Sequence, residues 1–137
     1  MFNVDINRLA KTLSKSESVV AAWLFGSGQN GWVRKGGDID IAILFFYPPS
    51  PDQIINLHAK LQEILEFENI DLVVLNNTSV ALCYESILGN EIYCADTMKK
   101  AEFVSLVARE YEFERAFLEY GLKIYAEAVD SKTDSKK

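Results

Sequence analysis

The sequence predicts one α/β domain in which helices pack on a small mixed sheet and a long helix ends the chain. Two strongly apolar runs, Val19–Phe25 and 38–47, have the length and the β-branched and aromatic content of buried strands. Gly26 ends the first run and Pro48 the second, and a capped amphipathic helix leads from the second run to a third. A length of 137 residues suits a single domain of this kind.

The first half of the chain begins with a helix, for which Asp5 is the predicted N-cap. Leu9 and Leu13 would lie on the buried face of that helix, four residues apart. The strand Val19–Phe25 follows it. Residues 26–37 hold five of the seven glycines, which predicts a loop with at most a short helical turn.

The second half begins with a helix whose start is marked by Ser50, Pro51 and Gln53, because a Ser–Gln capping box and a first-turn proline both favour initiation. Residues 130–137 contain no apolar side chain, so we expect a domain over 1–129 and a disordered tail over 130–137. The other predicted elements are a strand over 70–76, a helix over 78–88, a short strand over 91–94 and a helix over 97–128 that Gly121 could interrupt.

The connections between the strands predict how the strands pair. The helix of about fifteen residues between the second and third strands suits a parallel, right-handed crossover. The loop of about a dozen residues between the first and second strands suits an antiparallel pair. These pairings bring the end of the first strand beside the starts of the other two.

Three aspartates lie where those strand starts meet. Asp38 and Asp40 point to the same face because strand side chains alternate, and Asp71 opens the third strand. Three carboxylates so close would repel one another and favour protonation. A pair of Mg²⁺ ions would neutralise them, and such a pair can clamp the attacking and leaving oxygens of a phosphoryl displacement. The alternative is that these aspartates are solvated residues at strand ends.

A Gly-Ser pair, Gly26-Ser27, begins the loop beside these carboxylates. Backbone N–H groups at a glycine turn and a serine hydroxyl can bind phosphate oxygens. Arg34 and Lys35 are the cations of the loop and could face a triphosphate, while Trp32 could stack on a base. The alternatives are an ordinary turn, two solvated cations and a tryptophan that anchors the loop.

Gly26-Ser27, ten further residues, Asp38-x-Asp40 and the later Asp71 form one combined pattern. Over most of the chain, this pattern resembles the minimal nucleotidyltransferases (MNT domains) of the DNA polymerase β-like superfamily. The resemblance implies the nucleotidyltransferase fold. It also implies that Gly26 and Ser27 bind the triphosphate of ATP and that Asp38 and Asp40 bind two Mg²⁺ ions. Asp71 would bind one ion and help to activate the acceptor hydroxyl.

Two departures from the pattern concern nucleotide binding. Many members place a cation shortly after the Gly-Ser pair, where this chain has Gly28-Gln29-Asn30-Gly31. Many also have serine before the first aspartate, where this chain has Gly37. Arg34 or Lys35 could replace the missing charge.

The resemblance also implies a partner. MNT proteins are commonly paired with HEPN-domain ribonuclease toxins, and they act as antitoxins by transferring AMP from ATP to a toxin tyrosine. The expected function is therefore metal-dependent adenylylation of such a toxin. Two other functions stay open: a catalytically idle antitoxin that neutralises by binding, and a nucleotidyltransferase that modifies a small molecule such as an aminoglycoside.

Composition narrows the classes of partner. The net charge of −6 argues against direct nucleic-acid binding, and the apolar runs are too short to span a membrane. Two cysteines, Cys83 and Cys94, do not make a disulfide framework, so we expect a cytoplasmic protein. An apolar stripe on the last helix could cover the protein's own sheet or dock a partner in a homo- or hetero-oligomer. The stripe consists of Phe103, Val107, Tyr111, Phe117, Leu118, Leu122 and Tyr125.

Overall fold

A computed structural model describes the backbone of residues 1–135 and the side chains of residues 1–131. Over this range the predicted mixed α/β architecture is confirmed, together with the long C-terminal helix. The strands are β1 (Phe2–Asn3), β2 (Val19–Phe25), β3 (Trp32–Val33), β4 (Ile39–Phe45), β5 (Ile70–Val74) and β6 (Asn90–Cys94). The helices are α1 (Ile6–Ser14), α2 (Pro51–Leu65), α3 (Val80–Ile87) and α4 (Thr97–Ser135).

The main sheet has four strands in the order β5-β4-β2-β6. Strands β4 and β5 are parallel and β2 and β4 antiparallel, as the lengths of their connections predict. Strand β6 adds to the other side of β2 in the antiparallel sense. The end of β2 therefore lies beside the starts of β4 and β5.

Helices cover both faces of this sheet. Ile39, Ile41 and Ile43 of β4 are buried in a cluster that α1 and α2 complete. Ala42 and Leu44, which point the other way, lie in a second cluster completed by α3 and α4. The alternation along β4 thus separates two apolar cores.

Side-chain caps fix where the helices begin. The Asp5 carboxylate accepts a hydrogen bond from the backbone N–H of Arg8 at 3.0 Å. Ser50 and Gln53 form the predicted capping box, with reciprocal bonds of 3.2 and 2.8 Å. Ser79 caps α3, which places the start of that helix two residues later than the sequence predicts.

Strands β1 and β3 form a separate two-stranded sheet that the sequence analysis does not predict. Phe2 pairs with Val33 and Asn3 with Trp32. Each strand has only two residues, too few to show an alternating pattern. The pairing fixes the glycine-rich loop against the N-terminus of the chain.

Helix α4 is longer than predicted, because it continues through Gly121 to Ser135 rather than ending near Ala128. A single exposed glycine costs a helix only about 1 kcal/mol, and good helix formers surround it. Residues 130–135 of the expected disordered tail have a helical backbone, while 136 and 137 lie outside the described residues. No helix in the described range combines the length and the apolarity that crossing a membrane requires. Cys83 is buried and Cys94 half-buried, both as free thiols.

Gly89, between α3 and β6, lies directly against the end of β2. A Cβ atom at this position would overlap the carbonyl oxygen of Leu24 and lie 2.9 Å from the Cβ of Phe25. We predict that Gly89→Ala lowers the free energy of unfolding by about 1–3 kcal/mol in urea denaturation, since backbone must move to admit the methyl group.

Gly121→Ala is the matched control, because nothing lies within 4 Å of a Cβ at Gly121. The same change should there raise the stability by up to about 1 kcal/mol. A Gly89→Ala variant as stable as the parent would show that the close approach to β2 is not a constraint.

Candidate active site

The three aspartates lie at one end of the sheet. Asp40 and Asp71 are direct partners across the parallel β4–β5 pair. Asp38 comes one residue before β4 and alternates with Ile39, so it points to the same face as Asp40. Phe25, the last residue of β2, pairs with Asp40 from the other side. The Gly-Ser pair therefore begins next to the carboxylates, as the strand pairings predict.

Hydrogen bonds to backbone carbonyl oxygens fix the starts of β4 and β5. The N–H of Ile39 donates to the carbonyl of Asn69 at 2.9 Å, which joins the chain before β5 to the start of β4. The imidazole Nε2 of His58, on α2, lies 2.8 Å from the carbonyl oxygen of Ile70. The side chain of Gln62, also on α2, donates to the carbonyl of Glu68 at 2.8 Å. Helix α2 thus holds the segment that presents Asp71.

Gly26 lies against the side chain of Asp40 in a conformation that favours glycine. Its φ of +72° lies in the left-handed region, which side chains rarely adopt. A Cβ atom at Gly26 would also overlap the Oδ2 atom of Asp40. The chain then makes a short 3₁₀ turn over Gly26–Gly28, where Gly28 is buried. The backbone of the Gly-Ser turn therefore approaches the carboxylate as closely as a residue without a side chain permits.

The half-buried carboxyl of Asp40 is electrostatically disfavoured in its charged form. Burial raises the pKa of Asp40 above its ordinary value of 3.8. The negative charges of Asp71, Asp38 and Glu85, in that order of size, raise the pKa further. Glu85 lies on α3, and nothing in the sequence connects it with the aspartates, because only the packing of α3 brings it near. The site therefore attracts a cation.

The carboxylate oxygens of Asp38, Asp40 and Asp71 suit a magnesium site in which water and substrate phosphates fill the remaining positions. Within the described side chains, no three acidic, histidine or cysteine groups are placed so that they could hold a metal ion by themselves. The side chains of Asp38 and Asp71 are exposed, so their carboxylates can turn toward an ion beside Asp40. Mg²⁺ commonly takes one or two protein carboxylates and fills its remaining positions with water and substrate phosphates.

A pocket of about 390 Å³ adjoins the Gly-Ser turn. Trp32, 48% exposed, contributes an indole to it, and Arg34 contributes a guanidinium. The side-chain oxygen of Asn30 accepts a hydrogen bond from the N–H of Trp32 at 3.0 Å, which helps to fix the loop. Arg34 thus supplies a cation to the pocket, whereas Lys35 does not line it. The lining residues are Met1, Ser27, Asn30, Trp32, Arg34 and Gly37.

The charge on Asp40 should cost stability when no metal is present. We expect Asp40→Asn to raise the thermal unfolding midpoint in EDTA at pH 7, because a raised pKa means that the folded state disfavours the ionised carboxyl. The gain should be complete above the raised pKa and vanish as the pH falls below 3.8, where both states are protonated.

Glu112→Gln, which removes one exposed charge from α4, is the control and should leave the midpoint nearly unchanged. A lower midpoint for Asp40→Asn at pH 7 would mean that the carboxylate stabilises the fold, contrary to the electrostatics described above.

Comparison with known proteins agrees with this geometry. The family model of polymerase beta nucleotidyltransferases matches residues 7–98, which include the Gly-Ser turn and all three aspartates. Comparison with curated proteins gives no match.

Three solved structures have chains of similar fold. One is a toxin–antitoxin complex with AMP-PNP, with 24% identity and a TM-score of 0.71 over 82% of this chain and 91% of that chain. Another is a mutant MntA–HpeT toxin–antitoxin complex, with 25% identity and a TM-score of 0.70 over 82% and 90%. The third is tri-AMPylated Shewanella oneidensis HEPN toxin in complex with MNT antitoxin, with 25% identity and a TM-score of 0.64 over 81% and 87%.

The family model covers most of the chain, and the fold agrees with that of the solved structures. The paired aspartates and the Gly-Ser turn lie within the matched residues. The chain therefore belongs to the polymerase beta nucleotidyltransferase family.

Proposed function

We propose that this protein transfers AMP from ATP to a tyrosine hydroxyl of a HEPN-type toxin and thereby acts as the antitoxin of that toxin. The observation that carries the proposal is the direct pairing of Asp40 with Asp71, beside a turn whose first residue, Gly26, has a left-handed φ that favours glycine. The relatives at 25% identity support the choice of partner, since one of them contains an AMPylated HEPN toxin with an MNT antitoxin.

The carboxylates and the Gly-Ser turn have separate roles in this proposal. Asp38, Asp40 and Asp71 would hold two Mg²⁺ ions, which supply positive charge to the attacking and leaving oxygens. The N–H groups that follow Gly26 and the hydroxyl of Ser27 bind the phosphate oxygens. Because these N–H groups and the Ser27 hydroxyl lie next to Asp40, they place the triphosphate beside the carboxylates.

The transfer itself is a displacement at the α-phosphorus of ATP. The tyrosine oxygen forms a bond to that phosphorus, the bond to the bridging oxygen breaks, and pyrophosphate leaves. Asp71 accepts the phenolic proton, because its carboxylate is exposed and lies beside Asp40 at the open end of the sheet. The products are the adenylylated tyrosine, pyrophosphate and a proton.

The pocket beside Ser27 suits the rest of the nucleotide. The half-exposed indole of Trp32 can stack on a base, since stacking on an aromatic ring stabilises bound bases. The guanidinium of Arg34 can pair with phosphate oxygens and provides the positive charge that the residues after Ser27 lack. We therefore place ATP with its phosphates between Arg34 and the carboxylates.

A protein acceptor fits the open end of the site. Helices α3 and α4 cover the half of the sheet face that holds Ala42 and Leu44, whereas Asp38 and Asp71 stay exposed. The net charge of −6 disfavours a nucleic-acid strand as the acceptor. A tyrosine on the surface of a partner can therefore approach the carboxylates without a second domain of this chain.

We predict that Asp38→Ala combined with Asp40→Ala abolishes transfer of label from α-³²P-ATP to the co-purified toxin in the presence of Mg²⁺. Loss of two metal ligands should reduce the rate by at least about a thousandfold, because they carry the charge stabilisation of the reaction. The measurement is the labelled toxin band after gel electrophoresis.

The matched control is Glu17→Ala combined with Asp52→Ala, which removes two exposed carboxylates away from the site. That variant should transfer label at the parent rate. Full protection of cells by the Asp38/Asp40 variant would favour an idle antitoxin that only binds. Label on a small molecule such as an aminoglycoside, without any protein acceptor, would contradict the proposed acceptor.

A further inference from the structure

The distal half of α4, from Phe113 onward, projects large apolar side chains into solvent. Phe113, Phe117, Tyr120 and Ile124 follow one another at spacings of four, three and four residues, so they form one stripe along the helix. Their side chains are between 47% and 73% exposed. We call this row the front stripe.

A second row lies on the face that continues the protein's own core. Tyr111, which stacks on Tyr84 of α3 with ring centroids 3.9 Å apart, belongs to that row. Leu118, Leu122 and Tyr125 continue the row and are between 60% and 70% exposed, and Leu118 lines a small pocket with Ala81 of α3. We call these three residues the rear stripe.

The two stripes together form an unusually broad apolar surface. At 3.6 residues per turn they are separated by roughly 140°, and Glu114, Gly121 and Ala128 lie between them. The two stripes and the residues between them span an arc of roughly 200° of the helix circumference, and the remaining strip of about 160° is polar and carries Arg115, Glu119 and Lys123. A helix that lies on one surface needs an apolar face of only about 100°. Two stripes roughly 140° apart cannot both lie on one flat surface, so covering both takes neighbours on two sides.

The surface continues onto the body of the domain. A groove of about 530 Å³ lies between the start of α3 and the middle of α4. Val80, Leu106 and Phe113 give it an apolar floor, and Arg109 and Glu114 lie at its edge. Leu106, Phe113 and Tyr120 are seven residues apart, so the groove and the front stripe form one continuous row.

This surface is on the same face of the sheet as the carboxylates. Side chains alternate along β4, so Asp40 points to the same face as Ala42 and Leu44, which pack under α3 and α4. Ile39 and Ile41 point to the opposite face. Helix α3 connects the two regions, since Val80 lines the groove and Glu85, about 8 Å further along the axis, lies near Asp40. A protein seated in the groove therefore faces the open end of the candidate active site.

The width of the arc decides between two occupants. A two-fold pairing with α4 of a second copy would bury one stripe and leave the other in water. A partner that receives the helix between two of its own helices would bury both stripes at once. Residues 109–130 also carry six acidic and three basic side chains, a net charge of −3, which favours a basic rim on the partner.

We propose that the front and rear stripes of α4, with the groove beside α3, form the surface that holds the toxin, and that the toxin receives α4 in an apolar cleft between two helices with a basic rim. The inference rests on the proposed function for the identity of the partner. It adds the docking surface and the way in which docking directs the toxin toward the carboxylates.

The test measures the affinity of the full chain for the purified HEPN-type toxin. One variant combines Phe117→Gln with Ile124→Gln in the front stripe, and a second combines Leu118→Gln with Leu122→Gln in the rear stripe. Each should weaken the complex at least about a hundredfold, since buried aromatic and aliphatic anchors dominate interface energies. Glu119→Gln with Lys123→Gln, on the charged strip, is the matched control and should change the affinity less than about threefold.

All these side chains are exposed, so the thermal unfolding midpoints of the variants should equal that of the parent. Unchanged affinity in both stripe variants would overturn the proposal. Loss of affinity in only one of them would overturn the two-sided cleft. A dimer of the isolated chain that both stripe variants dissociate, with toxin binding intact, would assign the surface to self-association.

The test of the docking surface can fail independently of the test of nucleotide transfer. If the parent binds the toxin through both stripes but transfers no nucleotide, the docking surface stands and the enzymatic proposal fails. If the stripe variants still label the toxin at the parent rate, the enzymatic proposal stands and the docking surface is wrong.

Discussion

The half-buried carboxylate of Asp40 is the constraint on which the candidate site depends. Asp71 in the next strand and Asp38 on the same face both oppose its ionisation. The turn that follows β2 begins with Gly26, whose left-handed φ favours glycine and whose backbone lies against the Asp40 side chain. In the proposed function, a cation and the phosphates it accompanies would neutralise the carboxylates and bind the N–H groups of the turn.

The two faces of β4 have different surroundings: one packs in a closed apolar core, and the other borders the candidate site. On one face, Ile39, Ile41 and Ile43 pack against α1 and α2 in a closed apolar core. On the other, α3 and α4 cover Ala42 and Leu44 and leave the strand starts open. The parallel pairing of β4 with β5 is necessary, because it alone brings the starts of two strands, and hence Asp40 and Asp71, side by side. The crossover helix α2 fixes this pairing and holds the start of β5 through His58.

Much of this could be predicted from the sequence, because the informative signals are local. Strands β2, β4 and β5 are largely apolar runs with clear ends, and the Ser50–Gln53 capping box marks the start of α2. The lengths of the connections predict the pairing of β2, β4 and β5, and alternation then places the aspartates. The features that could not be predicted depend on contacts distant in sequence. Strands β1 and β3 are too short to show a period, and Glu85 approaches Asp40 only because α3 packs where it does.

The sequence predicts an apolar stripe on α4 but not which part of the stripe the protein itself covers. Phe103 and Val107 pack on the protein's own sheet, whereas Phe117 and Leu118 are exposed, although all four are apolar and helical. Periodicity identifies an apolar face but not what covers it, since a domain core and a partner surface impose the same spacing.

The central claim is that Asp38, Asp40 and Asp71 jointly bind divalent cations with the triphosphate of a nucleotide. The most direct measurement is anomalous diffraction from crystals grown with Mn²⁺ and a non-hydrolysable ATP analogue. The account predicts two manganese peaks about 3.5–4 Å apart, bound to these carboxylates, with the phosphates on the Gly26-Ser27 turn. A nucleotide bound elsewhere, or no manganese at Asp40, would contradict it.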